Sequence, residues 1–436
     1  GYLVANRIET LRAVQHDPYG EYAILYRTNA QSRVLEESLR KRNIPYRIYG
    51  GLSFYQRKEV KDALAYFRLS LNPDDDEALK RVVNYPARGI GDTTIAKVTR
   101  CAIDSGVSLW QVISSPETYD AGLGTAPLRK LESFVSMIRA FIAQNESGDD
   151  AYAVASRIIS DTRLLAMVMS DTTPESISRR ENLEELLSGV KDFVAERTES
   201  GESDLSLAAF MADVSLATDQ DNDTSAEDGP GGCVTLMTVH ASKGLEFGNV
   251  FIVGVEEELF PSSMSDGSMS AIEEERRLLY VAITRAKRFC MMSYATSRFR
   301  NGQTVTCSPS RFLRDISVQY MHLTGGTTLT GLTRSTVRPT DNYRSSTITT
   351  HKDRSSAPSA PRFMSVSSPA KSVVDTEAGL HTSDELTVGA EIRHSRFGQG
   401  TIIRIDTSGT DAKIEVEFAA GDTKTLLLKY ARFVIL

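Results

Sequence analysis

The chain has 436 residues, 41% of them hydrophobic and 25% charged, with a net charge of −7 at neutral pH. That length fits about three domains of ordinary size, and the longest apolar runs, such as residues 250–255, are far too short to span a bilayer. The acidic total excludes a protein held on nucleic acid by bulk charge alone, although acid gathers at Asp219, Asp221, Asp223, Glu227 and Asp228 while residues 311–371 are rich in Arg and Lys.

Residues 1–7 contain no initiating Met, no basic stretch and no apolar core, so no signal peptide is expected and the chain is expected to begin within a longer protein. Tyr22 to Tyr26 read as a short buried strand, followed by a helix over about residues 30–42 and a second strand over residues 46–49. This order is a βαβ unit and predicts a parallel sheet. After Gly50 and Gly51, a helix over residues 58–71 leads out of the unit. Residues 72–218 read as helix after helix, with amphipathic runs at 128–142, 151–169 and 180–196, and form an inserted all-α domain.

An acidic linker is expected over residues 219–232. Strands at 233–239, 250–253 and 289–294 and a helix at 273–286 then return the chain to α/β character. Residues 1–71 and 233–323 are therefore two parts of one interrupted domain. Residues 324–384 are rich in Ser, Thr, Pro and Arg without periodicity, which predicts disorder. Residues 385–436 alternate like short strands between glycine turns and predict a compact β module. The four cysteines, Cys101, Cys233, Cys290 and Cys307, form no C-x-x-C pair, so neither a zinc site nor a disulfide framework is expected. A reducing, cytoplasmic setting follows.

Arg27 lies just past the carboxyl end of the first strand, the edge where open α/β sheets bind ligands. A guanidinium suits the charge of a phosphoryl group, and a surface ion pair is the plainer alternative. Arg285 ends a predicted helix, where a cation also satisfies carbonyls and the helix dipole. Between them, Gly244 would let backbone approach a ligand, Glu246 suits ribose hydroxyls, and His240 and Ser242 suit a nucleic-acid backbone. In residues 84–94 a Gly-x-Gly turn opens a helix. Its N–H groups, flanked by Arg88 and Thr93, suit a duplex phosphate, although a plain helix–helix turn is the commoner cause.

Three long strings carry a family resemblance. Residues 23–33 (AILYRTNAQSR) resemble helicase motif IV, residues 234–247 (VTLMTVHASKGLEF) motif V, and residues 273–287 motif VI, in the order found in UvrD-type superfamily 1 DNA helicases. The similarity runs from near residue 20 to the last residue. It implies a RecA-like second motor domain, an inserted DNA-binding domain and a Tudor-like C-terminal module associated with RNA polymerase. It also implies that Arg27 contacts the γ-phosphate of ATP, that Arg285 is an arginine finger, that Gly244 and Glu246 belong to the nucleotide and that His240 belongs to single-stranded DNA. Arg88, Gly89, Ile90, Gly91 and Thr93 would form the loop that grips duplex DNA without reading sequence. Arg27 and Arg285 are expected to converge at one rim of the sheet. One departure is Gly248, where relatives usually carry proline.

No Gly-x-x-x-x-Gly-Lys-Ser/Thr string occurs, and no apolar strand ends in Asp-Glu. ATP and Mg2+ would therefore be held by an N-terminal RecA-like domain, and this chain is not expected to hydrolyse ATP alone. Two functions stay open: half of an ATP-dependent 3′-to-5′ DNA helicase of repair, or a truncated regulatory protein that binds DNA and RNA polymerase without a motor.

Overall fold

The structure is a computed structural model. It describes residues 1–171, 173–223, 232–265, 267–300, 303–323, 386–394, 397–406, 412–418, 423–428, 431 and 433–436. The chain opens on helix α1 (Tyr2–Gln15), strand β1 (Tyr22–Tyr26), helix α2 (Ser32–Arg40) and strand β2 (Tyr46–Ile48). Nine helices follow: α3 (Lys58–Leu71), α4 (Asp76–Val82), α5 (Asp92–Ser105), α6 (Leu109–Ser114), α7 (Thr125–Glu146), α8 (Ala151–Asp161), α9 (Leu164–Met169), α10 (Pro174–Ser200) and α11 (Leu207–Asp223). The α/β part then resumes with β3 (Val234–Thr238), β4 (Phe247–Val253), α12 (Met269–Ile283) and β5 (Ala286–Ser293). A hairpin of β6 (Ser297–Arg300) and β7 (Gln303–Thr306) closes it.

The first five strands form one parallel sheet in the order β2-β3-β1-β4-β5. β1 is buried at all five positions, as a central strand covered on both faces must be. On one face α1 and α2 bring Val4, Ile8, Leu11, Leu35 and Leu39 against Tyr22, Ile24, Leu236 and Phe251. On the other, α12 brings Leu279 and Ala282 against Ala23, Leu25, Met237, Val250 and Ile252. Strands separated by about two hundred residues thus pair side by side, and the interrupted α/β domain is as expected.

The C-terminal strands β8 (Glu391–His394), β9 (Gly398–Asp406), β10 (Lys413–Phe418), β11 (Thr423–Leu427) and β12 (Phe433–Ile435) make a second, antiparallel sheet in the order β11-β10-β9-β8-β12. Burial alternates along β10, with Ile414, Val416 and Phe418 inside. The small β domain predicted from alternation is present.

Several boundaries differ from expectation. Helix α1 was not anticipated. The run at 151–169 is two helices, because Arg163 turns left-handed at φ 61° and starts a new one. The acidic stretch assigned to a linker is helical as far as Asp223, and residues 224–231 lie outside the described part, as do the residues 324–384 expected to be disordered. Helix α3 was assigned to the motor part, yet Val60, Ala63, Tyr66 and Phe67 pack into the helical core, which begins at Phe54. The junction therefore falls near Gly50 rather than after residue 71.

That junction is knitted by buried polar groups. Arg33 of α2 is 2% exposed and reaches Glu37 at 3.0 Å, Glu185 of α10 at 2.7 Å and Asp192 of α10 at 3.1 Å. Its three carboxylate neighbours hold its pKa well above the ordinary arginine value, against the penalty of burial. A Cβ at Gly189 would lie 3.0 Å from the Arg33 guanidinium, so a glycine, costly inside a helix, is what lets the cation nest against α10. Arg57 donates to the Asn29 carbonyl at 2.6 Å, to Asn182 at 2.9 Å and to Ser32 at 2.9 Å. Phe54 N–H donates to the buried Glu36 carboxylate at 3.2 Å.

Removing Arg33 would leave Glu37, Glu185 and Asp192 without the cation that they share. Breaking a buried ion pair from one side typically costs about 3–5 kcal/mol, and the partial exposure of the partners reduces this to roughly 2–4 kcal/mol here. Arg33→Met should lower stability by that amount in a urea titration followed through Trp110, the single tryptophan, which sits in the helical core. A loss below roughly 0.5 kcal/mol, the scale of an ordinary surface substitution, would show the network to be decorative.

Candidate functional site

Parallel strands fix where each motif side chain emerges. Arg27 follows the last residue of β1, so it stands at the carboxyl edge of the sheet. His240 follows β3 at the same edge. Glu246 precedes β4 and Arg285 precedes β5, which places both at the amino edge. The expected convergence of Arg27 and Arg285 at one rim is therefore not found. The reason is the crossover: α12 runs back across the sheet from the carboxyl edge of β4 to the amino edge of β5, and Arg285 lies at its far end.

Arg27 is forked onto Glu275 of α12. Its Nε lies 3.0 Å from Oε2 and 3.2 Å from Oε1, and its Nη2 lies 2.6 Å from Oε1. Glu275 is 6% exposed, so this is a neutralised, largely buried pair that fastens α12 to the end of β1. His240 is exposed beside it. Desolvation of its ring, and next the charge of Arg27, hold its pKa below the ordinary 6.5, with Glu275 and Glu274 opposing. The folded state thus binds fewer protons than the unfolded one. Stability is full above pH 6.5 and falls as the pH drops from 6.5 through the lowered folded value.

Arg285 is differently placed. Its Nη1 donates to the Leu245 carbonyl at 3.0 Å, its Nε to the Val281 carbonyl at 3.0 Å and its Nη2 to the Thr284 hydroxyl at 3.2 Å. Its own carbonyl accepts from Phe247 N–H at 2.9 Å. Among the described residues no carboxylate lies within ion-pair distance of it. Its charge is oriented but not cancelled. The turn that it grips carries Gly244, with φ 89° and open space around a would-be Cβ, and the exposed carboxylate of Glu246. Gly244, Glu246 and Arg285 are thus one cluster, and Arg27, His240 and Glu275 another, on the same side of the sheet. Ser242 belongs to neither surface, because it is fully buried and its hydroxyl donates to the Val239 carbonyl at 2.7 Å.

The Gly-x-Gly loop lies in the helical region. Asn84 Oδ1 accepts from Arg88 N at 2.8 Å and from Ile90 N at 3.1 Å, and Gly89 sits at φ 71°. Arg88, expected to face a phosphate, turns inward instead. Its Nη1 donates to the carbonyls of Val82 and Pro86, and its guanidinium lies over the rings of Tyr66 and Phe134. Ile90 is 1% exposed and anchors the loop in the core. What remains outside is Gly89, Gly91 and Thr93 at the start of α5. Lys130 of α7, overlooked in the sequence, joins them by donating to the Gly89 carbonyl at 2.8 Å.

Gly248 is explained by its surroundings. Its N–H donates to Glu21 at 3.1 Å, and a Cβ there would lie 2.6 Å from both Glu21 Oε2 and Arg288 Nη2. A proline would lack the donor.

Comparison with known proteins agrees with this architecture. Residues 2–297 match the UvrD-like helicase C-terminal domain, and residues 388–432 match the PcrA/UvrD tudor domain. The chain belongs to the UvrD-like helicase C-terminal family. It is 36% identical to DNA helicase II of Escherichia coli K12 over 98% of its own length and 53% of that protein's. It is 35% identical to the ATP-dependent DNA helicase PcrA of Leuconostoc citreum over 98% of its length and 55% of that protein's. With PcrA of Staphylococcus aureus the figures are 34%, 95% and 52%. The chain spans about half the length of these relatives. Among the described residues no helix is long and apolar enough to cross a membrane, and no group of three or more His, Cys, Asp or Glu side chains could hold a metal.

Glu275 raises the His240 pKa and Arg27 lowers it, so neutralising the carboxylate has a signed consequence. In Glu275→Gln the imidazole should titrate at lower pH than in the parent chain, measured by NMR and assigned through His240→Gln. An unchanged or raised value would separate His240 from the ion pair.

Proposed function

We propose that this chain is the C-terminal half of an ATP-dependent 3′-to-5′ DNA helicase or translocase of DNA repair, working in the cytoplasm. It supplies one wall of the nucleotide site and most of the duplex contacts. The reading is supported by family membership and by one observation above all: Arg285 is held by neutral oxygens beside Gly244 and Glu246, with its charge uncompensated. A guanidinium fixed in that way meets a triphosphate without first surrendering an ion pair. ATP and Mg2+ would be gripped mainly by an N-terminal RecA-like lobe, and bound triphosphate supplies the phosphoryl group whose transfer drives motion. Glu246 would accept from ribose hydroxyls, and Gly244 would let the turn approach the nucleotide.

Arg27 takes a different role from the one its motif suggests. Paired with Glu275, it positions α12, and with it Arg285, rather than touching phosphate. His240 would face single-stranded DNA at the opposite edge. In the inserted helical domain, which we delimit from Gly50 to Asp223, the N–H groups around Gly91 and Thr93 would meet a duplex phosphate, with Lys130 alongside. The Tudor-like module would carry protein contacts, RNA polymerase among them. The β module and the two DNA surfaces would persist in a chain without a motor, so ATPase complementation separates the two functions left open by the sequence.

Mixing the chain with a separately produced N-terminal motor lobe should restore DNA-stimulated ATP hydrolysis that neither part shows alone. Arg285→Ala should then lower the rate by about a thousandfold or more, the usual scale of an arginine finger. Restoration that survives this substitution removes Arg285 from the chemistry, and no restoration with intact DNA binding favours the regulatory reading. Lys130→Ala should weaken duplex binding uniformly across sequences and reduce the salt-dependence slope by about one, as for a single phosphate contact. An unchanged slope in a salt titration would free Lys130 for the merely structural task of bracing Gly89.

A further inference from the structure

The outer face of the C-terminal module carries a leucine that is buried by something other than the module. Strand side chains alternate, and Leu426 and Leu428 point into the module's own core. Leu427 between them faces outward, yet it is only 7% exposed. What covers it is the turn after α10. A Cβ at Gly201 would lie 2.6 Å from Leu427 Cδ1 and 3.2 Å from its Cγ, so only a glycine leaves room for the leucine. Gly201 also caps α10 at φ 74°, which makes the seat a defined helix end rather than a floppy loop.

A second contact lies beside the first. His394 of β8 is 2% exposed, and its Nε2 is 4.0 Å from Glu199 Oε2 near the end of α10. Its Nδ1 accepts from Phe397 N–H at 3.3 Å, which leaves the ring proton on Nε2, directed at the carboxylate. Phe397 stacks on the ring at 4.8 Å and fixes its orientation. An apolar plug and an aimed imidazole thus meet one helix end from two strands of the module.

We propose that the turn at Glu199–Gly201 is a docking seat for the chain's own C-terminal β module, with Leu427 as the plug and His394 as the polar contact. Docked in this way, the module takes its position from α10, and its Leu427 face is closed to other proteins until it is released. This holds whether or not the nucleotide reading of Arg285 is right, since neither contact touches that cluster.

Hydrogen exchange on the whole chain tests it. The amides of Gly201 and Glu202 close α10 by donating to the carbonyls of Thr198 and Arg197, in the turn that Leu427 contacts. Leu427→Lys should leave the amides of Ile414 and Val416 in β10 as slow as before and speed those of Gly201 and Glu202 by about tenfold, the scale of one lost leucine contact. Gly201→Asn, which keeps the left-handed cap but fills the seat, should speed exchange in edge strand β11 to a similar extent. Equal rates at Gly201 and Glu202 in the parent and in Leu427→Lys, with β10 still protected, would overturn the proposal. If Leu427→Lys unfolds the module, Gly201→Asn decides: unchanged β11 exchange rejects docking, and faster exchange supports it.

Discussion

At the junction between the sheet domain and the inserted helices lies one buried guanidinium, that of Arg33, held by three carboxylates. The inserted region, nine helices among the described residues, has its own apolar core. Its orientation relative to the sheet must therefore come from contacts at the junction. Hydrophobic contact is non-directional and would permit a range of angles. A buried cation with three carboxylates permits few, because each partner must stay within hydrogen-bond distance or leave charge uncompensated in a low-dielectric pocket. Arg57 and Glu36 add neighbouring constraints of the same kind, through Asn182 and Phe54. The junction gives direction more than it gives net energy.

From that fixed sheet the placement of the motif residues follows by topology. Right-handed crossover forces α12 to return across the sheet, so a residue at its start and a residue beyond its end cannot share an edge. The Arg27–Glu275 pair fastens the first half of α12 at the carboxyl edge, and Arg285 grips the Gly244–Phe247 turn at the amino edge. The helix thereby connects the surface that carries His240 with the surface that carries Glu246. Displacing either edge would shift the other through a rigid element of four turns, which is a physical route for coupling a strand-binding surface to a nucleotide-binding one.

The fold was legible where hydrophobic pattern decides it. Tyr22–Tyr26 and Lys58–Leu71 fall on the residues that apolar runs and periodicity indicate, because burial of those side chains is what makes the elements. Helix α1 carries the same kind of signal, since Val4, Ile8 and Leu11 share one face. The site was less legible, because sequence names a side chain without its direction. Arg88, Ile90 and Ser242 stand in the right strings yet turn inward, where carbonyls and aromatic rings claim them. Glu275 lies in a run of three glutamates, and only its phase with Leu279 and Ala282 marks it as the inward one. Lys130 had no local signal, since it reaches Gly89 across 41 residues of chain.

Helix α10 is the element in which these constraints meet. Twenty-seven residues long, it extends about 40 Å at 1.5 Å per residue. Asn182, Glu185, Gly189 and Asp192 along its middle are fixed to the sheet domain through Arg57 and Arg33. Its last turn, at Glu199 and Gly201, receives the β module. A helix clamped through its middle transmits orientation to its free end, because bending it would break backbone hydrogen bonds or demand a proline or bulge that α10 lacks beyond its first position. The glycine at position 189 does not weaken this, since the guanidinium of Arg33 lies against its backbone and replaces the missing side chain. The same buried cation that orients the insertion therefore also sets where the C-terminal module can sit.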